Sequence, residues 1–479
     1  VHDDRATTPR QSGMTSNRLA SRPREGSFLA HLPAAGSGYQ PQQPITLALQ
    51  MLIATQGYAA AFQQAIQRVA QQRIPEIEAI RSLDQFFWFV DALATWIPGL
   101  RIWEWQGDIY HERSDYLHLM EFYYYFNQPE LRALQSPIHP IKGETLTPLS
   151  LWLRQFAISW GDFLDTPASA AHLDTYKLAP EYAYQDYKGG ADGISAYKTF
   201  NEWFSRSFQN IDEQRPVAQP ADPRIIVFPA ESTYVGQWAI STAVGGPRPA
   251  DPSIVVKHVA WPISELLKDS QYASDFEGGL FIHSFLNIFD YHRQHAPAAG
   301  RVLEARFIPG QVYLEVELQH LKPSERAEAD SNLARAVIPT RYLEAQDNTG
   351  YQFVQCRGLF VLDTAFGKIA VLPMGMAQVS SVVFVKPGTE ELMRVSAEER
   401  QELSYEQQVH LINRRVQAEL VGRRVEKGEM MSSFLFGGSD IVMVFERRSC
   451  VNITATPGVH YPVRSQCAYA NIDRLQAIP

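Results

Sequence analysis

Residues 434–446 read FLFGGSDIVMVFE. Two apolar runs flank Gly437-Gly438-Ser439-Asp440. Glycine supplies positive φ, and serine or aspartate hydrogen-bonds its own backbone, so the plain expectation is a tight hairpin turn. A second chemistry is open to the same residues. A serine hydroxyl held against the preceding carbonyl can attack it and move the acyl group from nitrogen to oxygen. Gly438, on the acyl side, has no Cβ to obstruct the attack. Elimination of that ester would cut the chain between 438 and 439 and leave Ser439 as a pyruvoyl group at a new N-terminus. The reaction needs a base beside the hydroxyl, and the rest of the chain must supply it.

Imidazole is the usual base near neutral pH. Residues 287–300 read NIFDYHRQHAPAAG, with His292 and His295 three apart. As a metal motif the pair lacks a third ligand at sensible spacing, so no metal is expected. Two structural histidines beside a solvated Arg293 are the plain alternative; a serine that needs a base favours the catalytic one. Residues 226–235 read IVFPAESTYV, with Glu231 just after a strand-like run. A carboxylate there could accept the Nδ1–H of a histidine and fix its tautomer, the orienting role in a serine–histidine–acid triad. Otherwise Glu231 is an exposed turn residue.

The 479 residues are enough for two or three domains and a sizeable core. A net charge of −9 argues against a nucleic-acid partner. Only Cys356, Cys450 and Cys467 occur, without CxxC spacing, so neither a disulfide framework nor a zinc knuckle is expected. Residues 1–26 hold no apolar run of the kind a secretory signal needs. The expectation is a cytoplasmic protein with a flexible tail over 1–40. The most apolar stretch, 86–103, contains Asp91, Pro98 and Arg101, each costly in hydrocarbon. It reads as a buried or interfacial helix, and no transmembrane segment is expected.

Helical spacing of apolar residues marks helices over 44–70, 79–97, 114–126, 148–165 and 196–208. Region 41–208 is therefore read as a mostly helical N-terminal domain. After the Pro-rich stretch from Arg215-Pro216 to Pro223 the pattern turns to short strands separated by Gly, Pro and Asn/Asp. Strands are expected over 224–229, 233–240, 253–257, 302–308, 311–318, 351–363, 367–372, 380–385, 434–436, 441–446 and 451–455. Helices are expected over 262–268 and 396–420, the second opening on a Ser396/Glu399 capping box. An exposed loop is expected over 320–334. The fold class is α+β: a helical region packed on a largely antiparallel β domain, 209–479.

Three stretches together resemble the phosphatidylserine decarboxylase family of pyruvoyl enzymes. Asp290-Tyr291-His292-Arg293-Gln294-His295-Ala296-Pro297 matches its DYHRxHxP pattern in full. Phe436-Gly437-Gly438-Ser439, preceded by Val425-Glu426-Lys427-Gly428-Glu429, is similar to its cleavage segment, and Phe200 to Arg206 with Arg215-Pro216 to its lead-in. The likeness covers about 196–479. Glu231 stands where the family has aspartate, Ser232 where it has glycine, and Asp440 where familiar members carry a small hydroxyl residue. The resemblance implies that Glu231 orients His295, which deprotonates Ser439, while His292 serves on the substrate side. The cofactor would be a pyruvoyl group made from Ser439, acting through a Schiff base. Phe434 and Phe436 could line its pocket, or could be core strand residues.

Trp160-Gly161-x-Phe163-Leu164 in the helical extension resembles the soluble branch that decarboxylates free aromatic amino acids such as L-tryptophan. The main expectation is accordingly a decarboxylase of a small-molecule amino acid. The two fragments would stay associated, peripheral membrane contact is compatible with the reading, and a homodimer is left open. The alternative is a phosphatidylserine decarboxylase making phosphatidylethanolamine. Further alternatives are a hydrolase using Ser439, His295 and Glu231 as an ordinary triad, and a non-catalytic β module.

Overall fold

The computed structural model describes residues 28–74, 77–105, 108–112, 114–138, 145–189, 196–242, 252–256, 259–320, 341–345, 349–375, 381–386, 388 and 391–471. Apolar residues at helical spacing form the helices Pro44–Gln56, Ala59–Gln71, Leu83–Ala94, Ser114–Phe126 and Pro148–Leu164. Pro148 occupies the first turn of the last, behind a Thr147 side chain that accepts from Ser150 N at 3.3 Å. The stretch expected as one helix over 44–70 is two, bent by 118°. Gly57, at φ +70°, caps the first helix in a left-handed conformation that costs other residues more.

The helices meet through rings. Phe122 stacks on Phe156 at 4.5 Å, and Phe86 meets Tyr125 edge-on at 5.0 Å. Residues 28–40 do not behave as the expected tail: Phe28 stacks on His118 at 4.2 Å, and Tyr39 Oη donates to Asp91 Oδ2 at 2.7 Å. Residues 1–27 lie outside the described residues. Asp91 also accepts from the backbone N–H of Gln42 and Gln43, which is how an acid is tolerated in so apolar a helix. The helix expected through 86–103 ends at Ala94, and Arg101–Trp105 pairs with Asp108–Glu112 as a two-stranded ribbon. Between them, Pro98-Gly99 disfavours helix. The helix expected over 196–208 shortens to Phe200–Phe204.

The β region is built on an eight-stranded sheet in which every neighbouring pair is antiparallel. Its order is Arg424–Val425, Gly300–Ile308, Cys356–Thr364, Gly367–Gly375, Gly438–Phe445, Leu280–Phe285, Ser232–Ala239, His460–Tyr461. A four-stranded sheet runs Glu391–Met393, Val382–Lys386, Met430–Phe434, Arg293–His295. The helix expected over 396–420 is two, Ala397–Glu402 and Tyr405–Leu420, each opened by a full capping box. Strands expected over 311–318 and 351–363 begin later, at Val316 and Cys356; Tyr351–Phe353 is a single 3₁₀ turn. The loop expected over 320–334 lies outside the described residues beyond His320.

One apolar core runs through both regions. Phe436, just before the cleavage turn, meets Trp160 at 5.4 Å, Phe200 at 5.3 Å and Phe204 at 5.2 Å, all edge-on. Asn127 Nδ2 donates to Leu314 O at 2.8 Å, and Arg394 pairs with Asp165 at 3.1 Å. The helical region thus reaches the stretch on which the sequence turns.

Candidate active site

The chain crosses between the two sheets twice at one place. One crossing leads from Leu280–Phe285 to Arg293–His295, the other from Met430–Phe434 to Gly438–Phe445. They are paired in both sheets: Asp440 faces Phe285 in one, and Ser433 faces Arg293 in the other. The two connections therefore lie side by side, and Phe434 N donates to His292 O at 2.7 Å. This corrects the hairpin expected over 434–446. The strands on either side of the turn belong to different sheets and do not pair with each other. The expected strand 434–436 is the end of Met430–Phe434 followed by the turn.

The turn is pinned from several sides. Leu435 N donates to Ser381 O at 2.7 Å, Gly438 N to Leu435 O at 3.1 Å, and Phe436 N to Asn201 Oδ1 at 3.3 Å. Gly437 has φ +98°. Gly438 is required by space: a Cβ there would stand 2.4 Å from Phe434 Cδ1. Against the neighbouring strand, Gly375 pairs with Gly438 and Met374 with Asp440, so Ser439 is the extra residue of a β-bulge. A bulged residue leaves the ladder and re-aims the chain, and bulges concentrate beside active sites. The side chain of Ser439 lies outside the described residues.

His292 and His295 have opposite surroundings. His292 is fully buried, stacks on Phe204 at 3.8 Å, and neither ring nitrogen has a hydrogen-bond partner among the described residues. Burial, and then the nearby Arg206 guanidinium, hold its pKa well below the ordinary value. Arg206 itself clamps the approach to the histidines, donating to Phe289 O at 2.7 Å and Asp290 O at 3.2 Å. The His295 ring is bonded at both nitrogens: Nδ1 to Gly428 O at 2.8 Å and Nε2 to Tyr291 Oη at 3.2 Å. Gly428 O is acceptor only, so Nδ1 carries the proton and Nε2 is the basic nitrogen. Burial, then the Arg464 guanidinium, push this ring down to about 3, so it is neutral at ordinary pH. Arg464 Nε donates to the same Gly428 O at 2.9 Å.

Glu231 is not where the triad reading expects it. Arg215 takes both its oxygens, Nε to Oε2 at 2.7 Å and Nη2 to Oε1 at 2.8 Å. In this structure the group that meets His295 Nδ1 is the Gly428 carbonyl and not Glu231. Glu231 instead joins Asp290 and His460, whose ligand-type atoms lie within 4.8 Å of its own. His460 Nε2 is 2.9 Å from Asp290 Oδ1. With Arg215 on both Glu231 oxygens, the group reads as a charge network. Burial raises the Asp290 pKa; at His460 burial works downward, but the bond to Asp290 and the charge of Glu231 leave it raised.

Phe434 and Phe436 are both fully buried. Phe434 supports Gly438 and Phe436 anchors the turn to the helical region. Sequence reasoning missed Arg215, Tyr291, Gly428, Arg464 and His460 as parts of the site. Tyr291 and Gly428 lie inside motifs already singled out; Arg464 and His460 lie in no recognisable pattern.

The family model for phosphatidylserine decarboxylase matches residues 200–466, which hold both histidines and the Gly438–Ser439 bond. The chain belongs to the phosphatidylserine decarboxylase family. Phosphatidylserine decarboxylase proenzymes of Escherichia coli and Escherichia fergusonii are each 27% identical to it over 196 residues, 41% of this chain and 49% of theirs. The matched segment thus spans about half the length of these curated relatives.

These matches correct the expectation of a free aromatic amino acid substrate: the family and the relatives are those named for phosphatidylserine. Two residues of the stretch on which that expectation rested, Trp160 and Leu164, are core. Trp160 is buried, donates from Nε1 to Trp96 O at 3.0 Å and packs on Phe436. Enzymes of the family are pyruvoyl-dependent carboxy-lyases. The residues present fit such a group. A Gly-Ser bond sits on a bulge where only glycine fits before the serine, and a buried imidazole whose nitrogens have no partner among the described residues lies in the paired connection.

Proposed function

We propose that this chain is a self-processing decarboxylase that acts on the serine headgroup of phosphatidylserine and yields phosphatidylethanolamine. The observation that carries it is the family match over 200–466, with the DYHRxHxP histidines and the bulged Gly438–Ser439 bond inside it.

Maturation starts at Ser439. Nε2 of His295 receives the hydroxyl proton as Ser439 Oγ takes the place of Tyr291 Oη, because Nδ1–H is committed to Gly428 O. Oγ attacks the Gly438 carbonyl, the C–N bond breaks, and the nitrogen takes the proton back, leaving an ester. Loss of the Cα proton of residue 439 with the ester oxygen frees Gly438 as a carboxylate and leaves a dehydroalanine. Its imine tautomer takes up one water and releases ammonia, which makes the pyruvoyl group. The fragment from Ser439 to Pro479 begins in the middle of the eight-stranded sheet, between Gly367–Gly375 and Leu280–Phe285. Ladder bonds on both edges and the buried Val442, Val444 and Phe445 side chains hold it without a covalent link.

The pyruvoyl carbonyl supplies an acceptor for the electron pair left by departing CO2. His292 serves the substrate, since it offers one N–H and one lone pair in a dry setting where such groups act strongly. Phe204 holds its ring in place by stacking. Among the described residues no single helix is long and apolar enough to cross a membrane.

The test has two parts. Intact mass of the purified chain should show two fragments that meet between 438 and 439, and Ser439→Ala should stay whole. The cleaved protein should release CO2 from phosphatidylserine in mixed micelles and none from free serine. A wild-type chain that stays whole, or release from free serine alone, defeats the proposal.

A further inference from the structure

Asp440 is an unexpected residue for its position. Its carboxylate is fully buried, on the sheet face of Val442 and Val444, in a core with Phe281 and Phe353. Ile441 and Met443 point to the opposite face, into the core that holds Phe204, Phe434 and Phe436. The charge next to Ser439 is therefore directed away from those rings. Burying a carboxylate among valines and phenylalanines is costly, and strand pairing alone does not call for it.

The surrounding polar groups come from three segments. Asp440 Oδ2 accepts from Gln352 Nε2 at 2.9 Å and lies 3.4 Å from His283 Nε2. His283, also fully buried, is held at Nδ1 by Thr349 Oγ1 at 2.9 Å. Gln352 Nε2 lies 3.2 Å from His283 Nε2 and ties the pair together. Asp440 Oδ1 has no partner among the described residues. Asp440 is also the first residue after the bulge with ladder partners on both edges, Met374 and Phe285. Gly438 pairs only with Gly375, and Ser439 is passed over.

We propose that Asp440, braced by Gln352 and His283, is the positioning residue of the cleavage site. Before cleavage it locks the chain directly after the bulge, which fixes Ser439 against the Gly438 carbonyl. After cleavage it pins the new chain end, which has lost its covalent tether and would otherwise fray. Placement matters at this scale, because an error of about 1 Å at a reacting group can cost on the order of a hundredfold in rate. The inference rests on the self-cleavage reading above and adds a residue that the serine–histidine chemistry does not itself require.

The test uses the full chain carrying Asp440→Leu, Asp440→Asn or Gln352→Met, beside wild type. Cleavage is timed by intact mass, and uncut chain is treated with neutral hydroxylamine, which splits it between 438 and 439 only where the ester has formed. Cleaved protein is assayed for kcat and KM separately, and a hydrazide probe reports the exposure of the carbonyl. Leucine removes the charge-assisted bond at similar volume and should slow ester formation at least about tenfold, the rate equivalent of one such bond. Asparagine keeps the shape and an acceptor for Gln352 and should slow it less, by about threefold. The cleaved fraction of each should show lower kcat at similar KM and faster hydrazide labelling. A purely structural role would lower the thermal midpoint and leave these readouts unmoved below it.

Cleavage and kcat of Asp440→Leu within about twofold of wild type would overturn the inference while leaving self-cleavage intact. Should that variant not fold, Gln352→Met decides in the same way, since it removes the donor and keeps the carboxylate. A wild-type chain that never cuts removes both readings together.

Discussion

His292 and His295 are three residues apart and occupy pockets of opposite kind. The His295 pocket saturates its ring: a backbone carbonyl on Nδ1, a tyrosine hydroxyl on Nε2, and Arg464 on the shared carbonyl. In the His292 pocket neither ring nitrogen has a hydrogen-bond partner among the described residues, and the ring stacks on Phe204. A fixed tautomer suits a reaction performed once on a neighbouring segment of the same chain. Open nitrogens suit a reaction whose partner arrives and leaves. Under the function proposed above, each ring is given one of the two stages on the strength of that difference, and the division can be broken by exchanging their losses.

The largest effect is expected at His295. His295→Ala should slow cleavage by about a hundredfold to ten-thousandfold, the usual worth of a positioned base, and leave the chain whole on a denaturing gel. His292→Ala should cut normally and bind the lipid, yet lose about a hundredfold in CO2 release per pyruvoyl group. If His292→Ala stays whole and His295→Ala cuts, the two assignments must be exchanged.

Arg464→Met sharpens the comparison by charge. His295 in the folded protein is held at about 3, below its ordinary 6.5, first by burial and then by Arg464. A depressed group of this kind contributes stability that is present above about 6.5 and lost as pH falls toward 3. Cleavage should therefore not weaken from His295 protonation between about pH 5 and 8 in wild type. Removing the Arg464 cation raises the ring's pKa, so the acid limb of the cleavage profile should move to higher pH. An acid limb that stays in place would show that Arg464 does not reach the base.

How much of this was legible depended on whether the cause was local. Ser114–Phe126, the Pro148 start and the Ser396 capping box could be read because spacing and caps act within a few residues. The break at Gly57 could have been read from the same kind of signal. The crossing at 434–438 could not, because two apolar runs around glycines look alike whether the strands pair with each other or join separate sheets. His292, His295 and Ser439 stood out inside contiguous motifs. Arg464 and His460 did not, since their partners are 36 and 170 residues away and leave no spacing to detect. Glu231 shows the hazard directly. Its place in the motif order suggested an orienter, while one extra methylene and a nearby arginine gave its carboxylate another partner.

The smallest effect belongs to that residue. Glu231→Gln keeps an acceptor for Arg215 and removes the charge. If the Gly428 carbonyl orients His295, cleavage should slow only slightly, about threefold or less, because the ring keeps its Nδ1 partner. The decisive comparison is with Arg215→Met. That change frees the Glu231 carboxylate at a site where its side chain is only 11% exposed. A freed carboxylate must stay charged without its partner or take up a proton, so Arg215→Met should cost more stability than Glu231→Gln, measured by urea unfolding of the uncut Ser439→Ala background. If Glu231→Gln instead stops cleavage as completely as His295→Ala, Glu231 leaves Arg215 and reaches the ring during maturation. The saturated pocket seen around His295 would then be a state that precedes the reaction, and the division between the two histidines would rest on a rearrangement instead of a fixed geometry.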